Sequence, residues 1–165
     1  MSNNFNDAAL ICLNGHVING NFHASPQVNQ SFCDKCGAKT IHQCPGCKAE
    51  IRGDYPLPGA LVETMGVAPN FCHACGNMYP WLSEKLKAAR DLAREIDGLS
   101  AEDREILEKS LDDLVRDTPR TEVVSLRFKK IMSKAPKEAY EVMKAILIDV
   151  LVEKAKQSVF GPTPK

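Results

Sequence analysis

The sequence predicts a small metal-stabilised β unit followed by an all-α helical bundle. Three observations carry that reading. Four short cysteine/histidine pairs are confined to the stretch from Cys12 to Cys75, turn-forming residues cluster around them, and from Trp81 onward apolar residues recur at helical spacing. The 165 residues suffice for one domain or two small ones. Twenty-one basic residues balance 21 acidic ones, so the whole molecule exerts no net pull on nucleic acid or an anionic membrane.

In chain order the pairs are Cys12-Leu-Asn-Gly-His16, Cys33-Asp-Lys-Cys36, Cys44-Pro-Gly-Cys47 and Cys72-His-Ala-Cys75. Seven cysteines make a disulfide framework awkward, and thiols of the cytosol stay reduced. With His16 the ligands number eight, enough for two closed tetrahedral zinc sites with nothing left over. Two residues between cysteines let one tight turn aim both sulfurs at one point. Gly37 and Gly76, each just after a second cysteine, permit the positive φ that such a turn often needs.

A weak internal repeat bears on which pairs share an ion. Ile18-Asn-Gly-Asn-Phe22 follows the first pair and Ile51-Arg-Gly-Asp-Tyr55 the third, while Phe32-Cys33 to Gly37 matches Phe71-Cys72 to Gly76. The extra length of the second copy falls between Pro56 and Asn70. A repeated unit is expected to fold as a unit. This places Cys12, His16, Cys33 and Cys36 on one zinc, and Cys44, Cys47, Cys72 and Cys75 on the other. The alternative is cross-braced, first pair with third and second with fourth. Each Ile-x-Gly-x-aromatic segment reads as a strand or hairpin between knuckles. The expected organisation is two tandem zinc ribbons over 1–80, at about 8–38 and 40–80, a helical domain over 81–160, and a loose tail over 161–165.

In the second half, Leu82, Leu86, Ala89, Ala93 and Ile96 form one helical stripe that ends near Gly98. Ser100 reads as the N-cap of a second helix, with Asp103 three residues on and Leu107, Leu111 and Leu114 as its stripe. Thr118-Pro119 reads as a cap with proline at the first helical position, opening a third helix that carries Val124, Phe128 and Ile131. Pro136 opens a fourth, expected to run to about Phe160 and to stop at Gly161. Its apolar residues occupy more than one stripe, so a second covering contact, including self-association, is expected of it.

The knuckles resemble the double zinc ribbon proteins of bacteria, in particular a small bacterial family of unknown function that joins two such ribbons to a helical tail. The resemblance covers about the first 80 positions. It implies the fold and the metal and no activity.

Eight ligands fill both zinc spheres, whereas a catalytic zinc keeps a position open for water. The His-x-Glu and Pro-Cys-x-x-Cys pattern of the zinc deaminases is absent. No enzyme is therefore expected. His42 and His73 beside knuckles are expected at the surface or behind the ligands, as is His23. Phe32 and Phe71 are expected to pack the ribbon cores, Trp81 to pack at the start of the first helix, and Asp54 and Glu63 to lie on a loop surface. Glu105, Glu108 and Asp112 share a face of the second helix. Arg127, Lys130 and Lys134 share one of the third, with Arg120, Lys129 and Lys137 nearby. This basic stripe is expected to face the neighbouring acidic helix or solvent, the alternative being that it binds phosphates or an acidic partner. The leading function expected is a non-enzymatic module for protein contact. The alternatives are a nucleic-acid-associated regulator using Arg120, Arg127, Lys129, Lys130 and Lys134, and an accessory subunit of an enzyme. No apolar run approaches the roughly 20 residues that span a bilayer, and Met1-Ser-Asn-Asn4 does not open a signal segment. The expected location is the cytoplasm.

Overall fold

The structure, a computed structural model, describes residues 7–54 and 66–162. The chain divides into two compact units, Met1–Ser83 and Glu84–Lys165. Glu63 and Tyr55 lie outside the described residues, as does the end of the expected tail.

Unit 1 is built on a three-stranded antiparallel sheet in the order β2 (Val17–Asn19), β1 (Leu10–Cys12), β3 (Thr40–Ile41). The central strand continues a run that is buried at every position, Ala8 to Cys12, because neighbours cover both of its faces. Ile11 pairs with Val17 on one side and Ile41 on the other. The two repeats do not stand apart as separate sheets. Ala8 bridges Arg52, and the Ala9 N–H donates to the Ile51 carbonyl at 2.7 Å, so the second repeat's Ile-x-Gly segment pairs with the chain leading into the first. The two repeat glycines meet there. Gly53 donates to the Asp7 carbonyl at 2.7 Å, and Asp54 N–H to the Gly20 carbonyl at 2.8 Å. A Cβ on Gly53 would lie 2.0 Å from the Gly20 carbonyl oxygen, so only glycine admits this approach of backbones. Asp54, expected on a loop surface, is buried, and its carboxylate accepts from Asn21 Nδ2 at 2.8 Å.

The start of helix α1 (Pro80–Glu95) closes unit 1. Trp81 is buried there, stacked on Tyr79 with ring centroids 4.6 Å apart, and its indole N–H donates to the Pro69 carbonyl at 2.8 Å. Phe32 is a correction: it is 63% exposed. Phe32 bridges Lys39, so alternation along the strand turns its ring away from the side on which Cys33 is buried.

Unit 2 holds most of α1, then α2 (Ala101–Leu114), α3 (Thr121–Met132), α4 (Lys137–Leu147) and α5 (Glu153–Phe160). The α1 stripe of Leu82, Leu86, Ala89, Ala93 and Ile96 is buried throughout. Gly98, at φ +81°, ends the segment after α1. Ser100 caps α2, its hydroxyl accepting from the Asp103 N–H at 3.0 Å. Leu107, Leu111 and Leu114 face inward, as do Val124, Phe128 and Ile131 of α3. Helix α3 starts at Thr121, later than the Thr118-Pro119 signal places it. Thr118 instead holds a turn ahead of the helix, its carbonyl accepting from the Thr121 N–H at 3.1 Å and its backbone N–H donating to Thr121 Oγ1 at 2.9 Å.

The fourth helix is also corrected. It breaks into α4 and α5 between Ile148 and Val152, with neither proline nor glycine at the break. Val152 is extended (φ −64°, ψ 151°), and its N–H donates to the carbonyl of Leu114 at the end of α2, at 3.2 Å. The break lets Leu147, Val150, Leu151, Ala155 and Val159 all reach the core. One straight helix carrying the same residues would have left part of them in water. The long apolar helix that motivated an expected second contact is therefore two shorter ones, and Val142 on α4 remains 49% exposed.

Candidate metal centres

Three of the four pairs are built on one plan. The residue before the first cysteine bridges the residue seven positions on: Phe32 with Lys39, Gln43 with Glu50, and Phe71 with Met78. Inside each bridge the first cysteine's N–H donates across the turn, to Ala38, Ala49 and Asn77 respectively, at 2.8–2.9 Å. Its carbonyl accepts from the fourth residue after it, Gly37, Lys48 or Gly76. That residue is left-handed in all three, at φ +71°, +65° and +73°. Glycine supplies the conformation twice, and Lys48 adopts it despite its Cβ. The first pair differs by one residue. There Cys12 N–H donates to the His16 carbonyl at 3.0 Å, and Gly15, at φ +88°, makes the turn.

The ligand atoms of Cys12, His16, Cys33 and Cys36 all lie within 4.8 Å of one another, and so do those of Cys44, Cys47, Cys72 and Cys75. Each group could hold one metal ion. The first draws on the first and second pairs, the second on the third and fourth; no ligand of one group sits in the other. Within the first, His16 Nδ1 is 3.5 Å from both Cys12 Sγ and Cys33 Sγ, and Cys12 Sγ is 3.7 Å from Cys36 Sγ. Within the second, Cys44 and Cys75 sulfurs are 3.8 Å apart, and those of Cys47 and Cys72 3.6 Å. Cys12, Cys33, Cys44 and Cys72 are buried, while Cys36, Cys47 and Cys75 are exposed.

N–H groups already point at these sulfurs. His16 N–H approaches Cys12 Sγ at 3.3 Å, and Ala74 N–H approaches Cys72 Sγ at 3.4 Å. Asn14, inside the first pair, donates its side-chain N–H to Cys36 Sγ at 3.3 Å. Sequence reasoning passed over Asn14, and the sole signal for it is an amide between two ligands. The Ala38 N–H, then the Asn14 amide, lower the Cys36 thiol to about 6. The Cys75 N–H, with that of Ala74, lowers Cys72 to about 6. At Cys75 the Asn77 N–H acts the same way, but partial loss of hydration and the three neighbouring sulfurs outweigh it and push the thiol up to about 12. Burial raises Cys12. Each cluster thus stabilises some negative charge and resists more, the electrostatics of a site completed by a cation. Behind the second cluster, burial and then the Cys72 sulfur raise the Tyr79 phenol, keeping it neutral.

The other histidines stay outside both groups. His42 stacks on Phe22 with centroids 4.1 Å apart, His23 Nε2 is 2.7 Å from Glu50 Oε1, and His73 is exposed. The basic stripe is split. Lys134 pairs with Asp103 at 2.9 Å and Arg120 with Asp113 at 3.7 Å, while Arg90 grips Asp112 with two contacts of 2.8 Å and Arg94 reaches Glu108. Arg127, Lys129 and Lys130 are exposed and make no ion pair with a described residue. No described helix is long and apolar enough to cross a membrane.

A family model described as an uncharacterised protein conserved in bacteria (DUF2321) matches residues 5–159. No curated protein and no solved structure matches the chain.

Proposed function

Because the chain belongs to that uncharacterised bacterial family, its function has to be read from its own geometry, and we propose that it is a non-enzymatic binding protein whose N-terminal unit is held by two structural zinc ions in two interlocked zinc ribbons. The spacing of the ligand atoms carries this reading. A zinc–sulfur bond of about 2.3 Å makes a tetrahedral S···S edge of about 3.8 Å, and with a zinc–nitrogen bond of about 2.0 Å an S···N edge of about 3.5 Å. The Cys12–Cys36, Cys44–Cys75 and Cys47–Cys72 sulfur pairs are 3.6–3.8 Å apart, the His16 nitrogen stands 3.5 Å from the Cys12 and Cys33 sulfurs, and all ligand atoms of each group lie within 4.8 Å of one another. Four ligand atoms close each group and leave no position for a reacting water, so the ions act on the fold. Seven thiolates and one imidazole are soft donors that suit zinc over calcium or magnesium.

A zinc-held unit and a helical unit in one chain, with no position left open on either ion, support a role in protein contact. Elemental analysis of the purified chain tests the metal: two equivalents of zinc are expected, and one or none rejects the assignment. The nucleic-acid reading draws on Arg127, Lys129 and Lys130, the three cations of the stripe that make no ion pair with a described residue. Three phosphate contacts give weak binding that falls steeply with salt. Submicromolar affinity for DNA or RNA at physiological salt would replace the protein-contact reading.

A further inference from the structure

The core-facing residues of α3 are Thr121, Val124, Ser125, Phe128, Ile131 and Met132. At 100° per residue, Lys130 stands nearly opposite them, with Leu126 one turn and Val123 two turns before it, on either side of its line. Val123 is 58% exposed and Leu126 59%. They stand out on a helix whose inner face is already complete. Arg127 and Lys129 flank the ridge, and with Lys130 they make no ion pair with a described residue. The acidic Glu122 on that side lies by Lys154, which is itself paired with Asp117 at 2.8 Å. Beside the ridge runs a groove of about 180 Å³ between α2 and α3, whose lining includes Ile106, Val124, Arg127 and the paired Arg120 and Asp113.

We infer that the outer face of α3 docks an acidic amphipathic helix of another protein. The partner's aliphatic side chains cover Val123 and Leu126, and its carboxylates meet Arg127, Lys129 and Lys130. Charge complementarity selects this occupant. Arg120 and Lys134, which border α3, already have carboxylates in the Arg120–Asp113 and Lys134–Asp103 pairs, whereas these three have none among the described residues. The two aliphatics separate it from a phosphate-binding stripe, which would gain nothing from a bare leucine and valine at its centre. The inference rests on the reading of the chain as a binding protein and names the partner's chemistry. It is independent of the identity of the metal.

The test uses the full zinc-loaded chain and three probes: an 18-residue Leu/Glu amphipathic helical peptide, its Leu/Lys counterpart, and a single-stranded oligonucleotide. Binding is followed by fluorescence anisotropy and mapped by amide chemical shifts. The Leu/Glu peptide is expected to bind at least tenfold tighter than the Leu/Lys peptide, with shifts centred on Val123, Leu126 and Lys130. Leu126→Ser and Lys130→Glu should each weaken it tenfold or more with α-helical circular dichroism and zinc content unchanged. Equal binding of the two peptides, shifts elsewhere, or no binding overturns the inference. A tighter oligonucleotide overturns both it and the protein-contact reading. A dimer that Leu126→Ser dissolves gives the face to a second copy and also overturns it. Loss of zinc would bear on the metal assignment alone.

Discussion

Three glycines of unit 1 give a graded test of how its two repeats are joined. At Gly53 a methyl group would sit 2.0 Å from the Gly20 carbonyl oxygen and 2.8 Å from the Ala8 carbonyl carbon and oxygen. All three are backbone atoms, so no side chain can swing aside. Relief requires the segments to part, which strains the Gly53–Asp7 and Asp54–Gly20 hydrogen bonds of 2.7 and 2.8 Å. Overpacking costs about 1–3 kcal/mol, and each lost hydrogen bond about 1 kcal/mol. Gly53→Ala should therefore destabilise unit 1 by about 3–5 kcal/mol. At Gly37 nothing stands within 4 Å, but φ is +71°, so Gly37→Ala should cost about 1 kcal/mol from backbone strain alone. Gly66 has neither an obstruction nor a positive φ, and Gly66→Ala should be neutral or slightly stabilising. Urea unfolding at fixed free zinc would give the three values, followed by Trp81 fluorescence because Trp81 is buried in unit 1. If Gly53→Ala costs no more than Gly37→Ala, the close contact between repeats does not hold the unit together as described.

Other predictions concern the clusters and the helices. His16→Ala should lose one zinc and keep the other, while His42→Ala and His73→Ala keep both, as native mass spectrometry would count. Protons compete with metal for thiolates, so zinc occupancy should fall as pH drops below neutrality and not as pH rises from it. A metal-indicator titration from pH 8 to pH 4 checks the direction. Ser100→Ala should cost about 1 kcal/mol through loss of the bond to the Asp103 N–H, read from thermal unfolding of the helical signal. Lys48→Gly should stabilise the chain by about 0.5–1 kcal/mol, since Lys48 holds φ +65° where Gly37 and Gly76 serve in the sister turns.

What the sequence made legible is the chemistry that depends on local spacing. The pairs put two ligands on one turn, and the turns come out alike. The stripe ending at Gly98 and the Ser100 cap are read within a few residues of themselves. What it hid depends on distant partners. Nothing near Val152 signals a helix break; the Leu114 carbonyl that receives its N–H is 38 positions back, and covering Val150 and Leu151 outweighs helix propensity. Lys48 occupies a left-handed position without a glycine to mark it. Phe32 looked like core because it is aromatic beside a cysteine, yet strand alternation decides its direction. Asp54 looked like surface because it is charged, but the Asn21 amide of the other repeat gives it a buried partner.

The meeting of the two repeats also governs how this chain can be cut. The edge contributed by Ala8 and Ala9 finds its complement at Ile51 and Arg52, beyond the end of the first repeat. A fragment stopping after Ile41 would keep all four ligands of the first ion and still expose that edge, with its unpaired N–H and the bare glycine at position 20. An open strand edge of this kind templates pairing with other chains. Such a fragment would bind metal and self-associate or precipitate, so a first-ribbon fragment that keeps the edge covered has to run past Asp54, into the second repeat.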